Sequence, residues 1–148
     1  MNFRPWLAVV LVTAVLLLPA SSVLASPPSN DAFAHASAIS SLPFTGHANT
    51  ASATLQSDEP TPSCQDQLAG SVWWRYTASK AQHLLAYLDA GQTIAIYQGT
   101  SLAGLSELGC DRYGGNVNFD LSAGQTIYIQ VGTYAGNGGP ETLHLQKQ

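Results

Sequence analysis

Residues 71–78 read Ser-Val-Trp-Trp-Arg-Tyr-Thr-Ala, which sets two of the chain's three tryptophans side by side. On a strand, alternate side chains point to opposite faces, so Val72, Trp74 and Tyr76 share one face and Ser71, Trp73, Arg75 and Thr77 the other. The first set is apolar or amphipathic and belongs in a core. The second is mixed. Trp73 beside Arg75 either offers a ring on which a sugar stacks, or lies beneath the N-terminal arm around Phe33 with Arg75 packed over it as a cation–π lid. Tyr113 and Tyr134 stand in glycine-rich loops and suit a shallow polar binding surface. Trp73, Arg75 and Tyr134 are therefore the candidate binding contacts.

Other reactive types are present but scattered. His35, His47, His83 and His144 are far apart in sequence and form no metal-binding pair such as HExxH. Serine is abundant, yet no GxSxG elbow or Ser-x-x-Lys occurs. A hydrolase would need His83 or His144 to converge on a Ser and an Asp from distant segments. The loop 132–139 is rich in glycine but lacks the lysine and following helix of a phosphate cradle. Cys64 and Cys110 are the only cysteines, and an even count in an exported chain suggests one disulfide. Closing a loop of about 45 residues would stabilise the fold by roughly 4 kcal/mol. That bond would bring Asp66 and Asp111 together, making them the candidate calcium ligands, although calcium needs six to eight oxygens and no DxDxDG loop is present.

The termini and composition bound the function classes. Arg4, the apolar run from Trp6 to Leu18, the break at Pro19 and Val23-Leu24-Ala25 form a secretory signal, with cleavage expected after Ala25. The apolar run is short of the about 20 residues that a membrane span needs. No cysteine stands at the cut to carry a lipid. The mature chain, residues 26–148, is read as a single β-sandwich domain without a membrane span. Four basic residues then face nine acidic ones, a net charge of −5. Arg75, Lys80, Arg112 and Lys147 form no basic stripe, so a nucleic-acid backbone would be repelled rather than gripped.

The elements that must position these residues are short strands. Ser26 to Ser29 reads as an extended arm, and Asn30-Asp31 as the cap of one helical turn over 32–36. Ile39 to Leu42 is a short strand. Residues 45–70 read as a polar loop with a faint strand at 52–55. Strands are expected at 71–78, 83–88, 93–98, 105–109, 116–121, 126–132 and 141–146, each rich in β-branched or aromatic residues and bounded by turn formers. Val117, Phe119 and Leu121 alternate with Asn118 and Asp120, as do Ile127, Ile129 and Val131 with Tyr128 and Gln130. The fold class is all-β, a two-sheet antiparallel sandwich of jelly-roll-like kind with one short N-terminal helical turn. Residues 89–96 echo 122–129, which predicts one turn used twice with Gly91 and Gly124 at positive φ.

Taken in order, several of these pieces resemble a known family. Asn30-Asp31-Ala32-Phe33-Ala34 resembles its NDxFA opening, and Glu59-Pro60 followed by Ser71 to Ala78 its "E-P … sVWyrYtA" core. Ile96-Tyr97-Gln98-Gly99, Cys110-Asp111 and Ala123 to Gly132 resemble its "vYtG", "C-(N/D)-D" and "aGttYyIqVgg" segments. The ordered set is similar to the bacterial pre-peptidase C-terminal domains and covers most of residues 30–146. The resemblance implies a secreted, jelly-roll-like sandwich without catalysis, credited with substrate attachment, secretion or stability. Here the domain is expected to stand alone behind its signal peptide. The family's acid before the "vYtG" strand is replaced by Gly91-Gln92-Thr93, so no cation site carries over from it. The expected function is non-catalytic adhesion or binding outside the cell or in the periplasm, with polysaccharide or an exported protein as partner and no required cofactor. A calcium-stabilised surface domain and a small secreted hydrolase are the alternatives.

Overall fold

A computed structural model describes residues 25–134 and 136–148; the signal-peptide assignment falls on residues outside that range apart from Ala25. Among the described residues, nine strands form two sheets. The first contains β1 (Ser37–Ile39), β3 (Gly70–Thr77), β8 (Thr126–Thr133), β5 (Thr93–Gln98) and β6 (Ser106–Asp111), in the order β1-β3-β8-β5-β6. The second contains β2 (Phe44–Asn49), β9 (Pro140–Lys147), β4 (Gln82–Leu88) and β7 (Val117–Leu121), in the order β2-β9-β4-β7. All pairings are antiparallel except that of β1 with β3, which is parallel and departs from the antiparallel expectation.

Between the sheets, Val72, Trp74 and Tyr76 pack with Ile127, Ile129 and Val131 against Leu84, Ala86, Leu143 and Leu145. Each inward position is the apolar half of an alternating strand. Burial of such side chains contributes about 1.5–3 kcal/mol apiece. The first sheet is also covered on its outer face, where Trp73, Ala95, Tyr97 and Ala36 form a second cluster joined by Phe33 and Tyr128. Two-sided burial explains why Thr93 to Tyr97 on β5 is buried at every position, a pattern without alternation.

The N-terminal third differs most from expectation. Strand β2 lies within the segment that reads as a polar loop, while residues 52–55 form no strand. Inward positions on β2 are Phe44, Gly46 and Ala48, so its apolar alternation is faint. The smallness has a cause: a Cβ on Gly46 would lie 3.0 Å from Trp74 Nε1 and 2.6 Å from the Phe44 ring. The helical turn is a 3₁₀ turn at Phe33–His35 with no side-chain cap. Asn30 and Asp31 do not cap it because they fasten the arm elsewhere. Asn30 Nδ2 donates to the Trp73 carbonyl at 3.0 Å, and the Trp73 N–H donates to the Asn30 carbonyl at 2.8 Å. Asp31 accepts from both the backbone and the hydroxyl of Thr54 at 2.6 Å. The turn used twice is also corrected: Gly124 has φ +80°, but Gly91 is not at positive φ. At the β4–β5 turn the Gln92 N–H bonds the Ala90 carbonyl instead, at 2.9 Å.

One buried acid makes the sandwich sensitive to pH. Glu141 follows Pro140 on β9, on the same face as Leu143 and Leu145, and is 4% exposed with its Oε2 unpartnered among the described residues. Burial pushes its carboxyl up to about 7 from 4.5. The folded state therefore holds a proton that the unfolded state releases once pH passes 4.5. Stability falls as pH rises from there and levels off above about 7, a loss on the order of 3 kcal/mol. Glu141→Gln should match the wild type at pH 4 and exceed it in urea midpoint at pH 8. Equal midpoints at both pH values would contradict the assignment.

Candidate functional site

The strand registers place the β4–β5 turn, the β6–β7 turn, the β8–β9 loop and the long β2–β3 segment at one end of the sandwich. A cleft of about 140 Å³ opens there. Gly91, Gln92 and Thr93 form one side, Arg112 and Tyr113 a second, and Tyr134 and Asn137 a third. Gln65, from the β2–β3 segment, completes it. Tyr113 and Tyr134 are 74% and 52% exposed, and with Leu55 they are the large hydrophobic residues exposed among the described residues.

Local chemistry holds these loops in place. Asp111 Oδ1 accepts from the backbone N–H groups of Tyr113 and Gly115, both at 2.8 Å, which shapes the β6–β7 turn. Gly114 takes φ +73° there, and a Cβ would lie 2.3 Å from the Ala90 carbonyl, so only glycine lets the two turns touch. Gln92 Nε2 donates to the Asn137 carbonyl at 2.5 Å and ties the β4–β5 turn to the β8–β9 loop. The Cys64–Cys110 disulfide, with a Cα–Cα distance of 6.0 Å, fastens the β2–β3 segment to β6. Gln65 follows it directly. Its Nε2 donates to the Gln67 carbonyl at 3.1 Å, while its Oε1 has no hydrogen-bond partner among the described residues. Arg112 lies 5.7 Å from the Tyr113 ring centroid.

Of the residues singled out from sequence, Tyr134 lines this cleft and Trp73 and Arg75 do not. Trp73 is 0% exposed, which corrects its candidacy as a binding contact and leaves the covered one of its two alternatives. Phe33 stands edge-on to it at 5.4 Å, and its Nε1 donates to Glu59 Oε1 at 2.6 Å. Ser71 Oγ donates to the same oxygen at 2.7 Å. Burial raises the Glu59 carboxyl above its ordinary range, although both of these hydrogen bonds oppose the rise. The cover thus comes from Phe33 and the segment around Glu59. Arg75 is exposed beyond it and forms no cation–π lid among the described residues. The Glu59 contact escaped sequence reasoning because its partners are 12 and 14 residues away on a different element.

The candidate calcium ligands are not gathered into a cation site. Asp66 is exposed, Asp111 has its Oδ1 committed to the turn, and no group of three or more His, Cys, Asp or Glu side chains forms among the described residues. His47, His83 and His144 instead occupy the outer face of the second sheet, and His35 ends the 3₁₀ turn. His83 Nδ1 lies 2.7 Å from Asp120 Oδ1. His144 contacts Thr45 Oγ1 at 3.2 Å through Nδ1 and Asp89 Oδ1 at 2.9 Å through Nε2. Hydroxyl, imidazole and carboxylate therefore follow one another in the order of a triad. They are cross-strand neighbours on a sheet face, however, with Tyr87 stacked on His144 at 4.6 Å, and nearby ladder N–H groups are engaged in strand pairing. Such pairs contribute roughly 0.2–1 kcal/mol each to the sheet.

No family profile and no curated protein sequence matches the chain. Solved structures do resemble its fold. The pre-peptidase C-terminal domain of collagenase from Bacillus anthracis aligns with a TM-score of 0.50 at 14% identity, over 75% of this chain and 94% of that one. PliG from Aeromonas hydrophila, a periplasmic lysozyme inhibitor of g-type lysozyme, aligns with a TM-score of 0.51 at 12% identity, over 76% of this chain and 96% of that one. The architecture is thus a β-sandwich like that of pre-peptidase C-terminal domains, and at these identities the likeness concerns the fold.

Proposed function

We propose that this chain is a non-catalytic binding or adhesion domain, exported by cleavage after Ala25, that engages a polysaccharide or an exported protein through its loop end. The observation that carries this reading is the placement of Tyr113 and Tyr134. These two aromatic residues are exposed, and both flank the cleft, while the tryptophan pair is packed into the fold. Rigid aromatics beside amide and glycine residues are a composition suited to contact surfaces. The disulfide fits an oxidising compartment outside the cytoplasm. Non-catalytic action agrees with the two neighbours, named as a pre-peptidase C-terminal domain and as a lysozyme inhibitor.

The test is retention of residues 26–148 on cellulose, chitin, peptidoglycan and immobilised g-type lysozyme. Retention on one of these should be lost in the Tyr113→Ala/Tyr134→Ala double variant and kept in Arg75→Ala. Retention on none, or a double variant held as well as the wild type, would count against the loop end as the contact surface.

A further inference from the structure

The loop-end cleft is smaller than the 300–1,000 Å³ of pockets that enclose drug-sized molecules, and at about 140 Å³ it admits one ring-sized group. We infer that it is the subsite for one uncharged sugar residue of a polysaccharide. This rests on the proposed reading of the loop end and narrows its ligand class. The polar groups decide the chemistry. Gln65 is 6% exposed and lines the cleft, and its buried Oε1, unpartnered among the described residues, only accepts, so it is suited by an O–H or N–H donor. Arg112 only donates and makes no ion pair among the described residues. A carboxylate would satisfy Arg112 and oppose Gln65. A cation would satisfy Gln65 and be repelled by Arg112. A sugar hydroxyl both donates and accepts, so neither group opposes it.

The surroundings agree. Tyr113 and Tyr134 supply ring faces for the apolar C–H faces of a pyranose and phenol groups for its hydroxyls. The net charge of −5 on residues 26–148 disfavours polyanionic glycans. A protein partner would present N–H and C=O groups too, but its binding energy concentrates in apolar anchors seated in well-packed pockets. This cleft offers a polar floor instead. The groove of about 500 Å³ at the opposite end, lined by Gln98, Gly99 and Gln125 among others, has no aromatic or charged side chain and gives no comparable pattern.

Calorimetric titration tests the inference with cellotetraose, xylotetraose, mannotetraose and triacetylchitotriose. Oligogalacturonate serves as the acidic comparison and g-type lysozyme as the protein one. At least one neutral oligosaccharide should saturate with a dissociation constant on the order of 1 mM. Its affinity should be unchanged between about 50 mM and about 500 mM salt, and fall about tenfold in Tyr134→Ala. Arg112→Gln should weaken it as well, and the melting temperature of each variant reports whether it is folded. Preference for oligogalacturonate with steep salt dependence overturns the uncharged class. Neutral binding that survives both substitutions places the sugar elsewhere and overturns the subsite. If g-type lysozyme alone binds, and Tyr134→Ala abolishes that binding, the sugar inference falls while the loop end stands. If nothing binds, both fall.

Discussion

Replacing Trp73 with Ala is expected to destabilise the protein by about 3–5 kcal/mol and to leave loop-end binding intact. Trp73 is wholly enclosed by Phe33, Tyr97 and the Glu59 segment. Truncation opens a cavity on the outer face of the first sheet and withdraws the indole N–H from Glu59, whose Oε2 is already unpartnered among the described residues. With that donor gone, the carboxyl is pushed higher still. A raised carboxyl favours the folded state below the unfolded value near 4.5 and costs stability as pH rises through the folded value. The deficit of Trp73→Ala should therefore be larger at pH 8 than at pH 4. Thermal melts followed by circular dichroism should show a fall on the order of 10–20 °C at neutral pH. A variant that melts within a degree or two of the wild type and has lost ligand binding would mean that the indole is a contact.

Loss of the disulfide should cost about 4 kcal/mol, since Cys64 and Cys110 are 46 residues apart and the bond constrains a long loop of the unfolded chain. The effect should reach the cleft as well as the global fold. The bond holds the β2–β3 segment on β6, assisted by the Ser63 N–H donating to Glu107 Oε2 at 2.8 Å, and Gln65 is the next residue after Cys64. The Cys64→Ser/Cys110→Ser variant should therefore unfold at lower guanidinium and bind more weakly than its residual folded population explains. Guanidinium curves with and without reductant provide the measurement. A wild-type midpoint indifferent to reductant would contradict this account.

Legibility in the sequence followed the strength of the local pattern. Most strands from 70 onward were readable because inward Val, Ile, Leu and Phe alternate with polar residues, β5 was readable instead by its β-branched and aromatic content, and Trp74 was assignable to the core by alternation. Strand β2 was not, because the Trp74 ring requires Gly46 where a larger apolar residue would have marked the strand. Trp73 could not be decided locally. Its cover is made by Phe33 and Glu59, and alternation says which face a residue takes but not whether another segment crosses that face. Tyr134 was legible as a loop aromatic beside glycines. Gln65 was not, since a lone glutamine in a polar segment carries no signal until the disulfide and the turns close around it.

The central claim is that ligand contact occurs at the loop end and not on the Trp73 and Arg75 face. Amide chemical-shift mapping of residues 26–148 during titration with the best-retained neutral oligosaccharide tests it most directly. The account predicts shifts centred on residues 65, 91–93, 112–113, 134 and 137. Shifts centred on Phe33, Trp73, Arg75 and Tyr128, or on His47, His83 and His144, would contradict it.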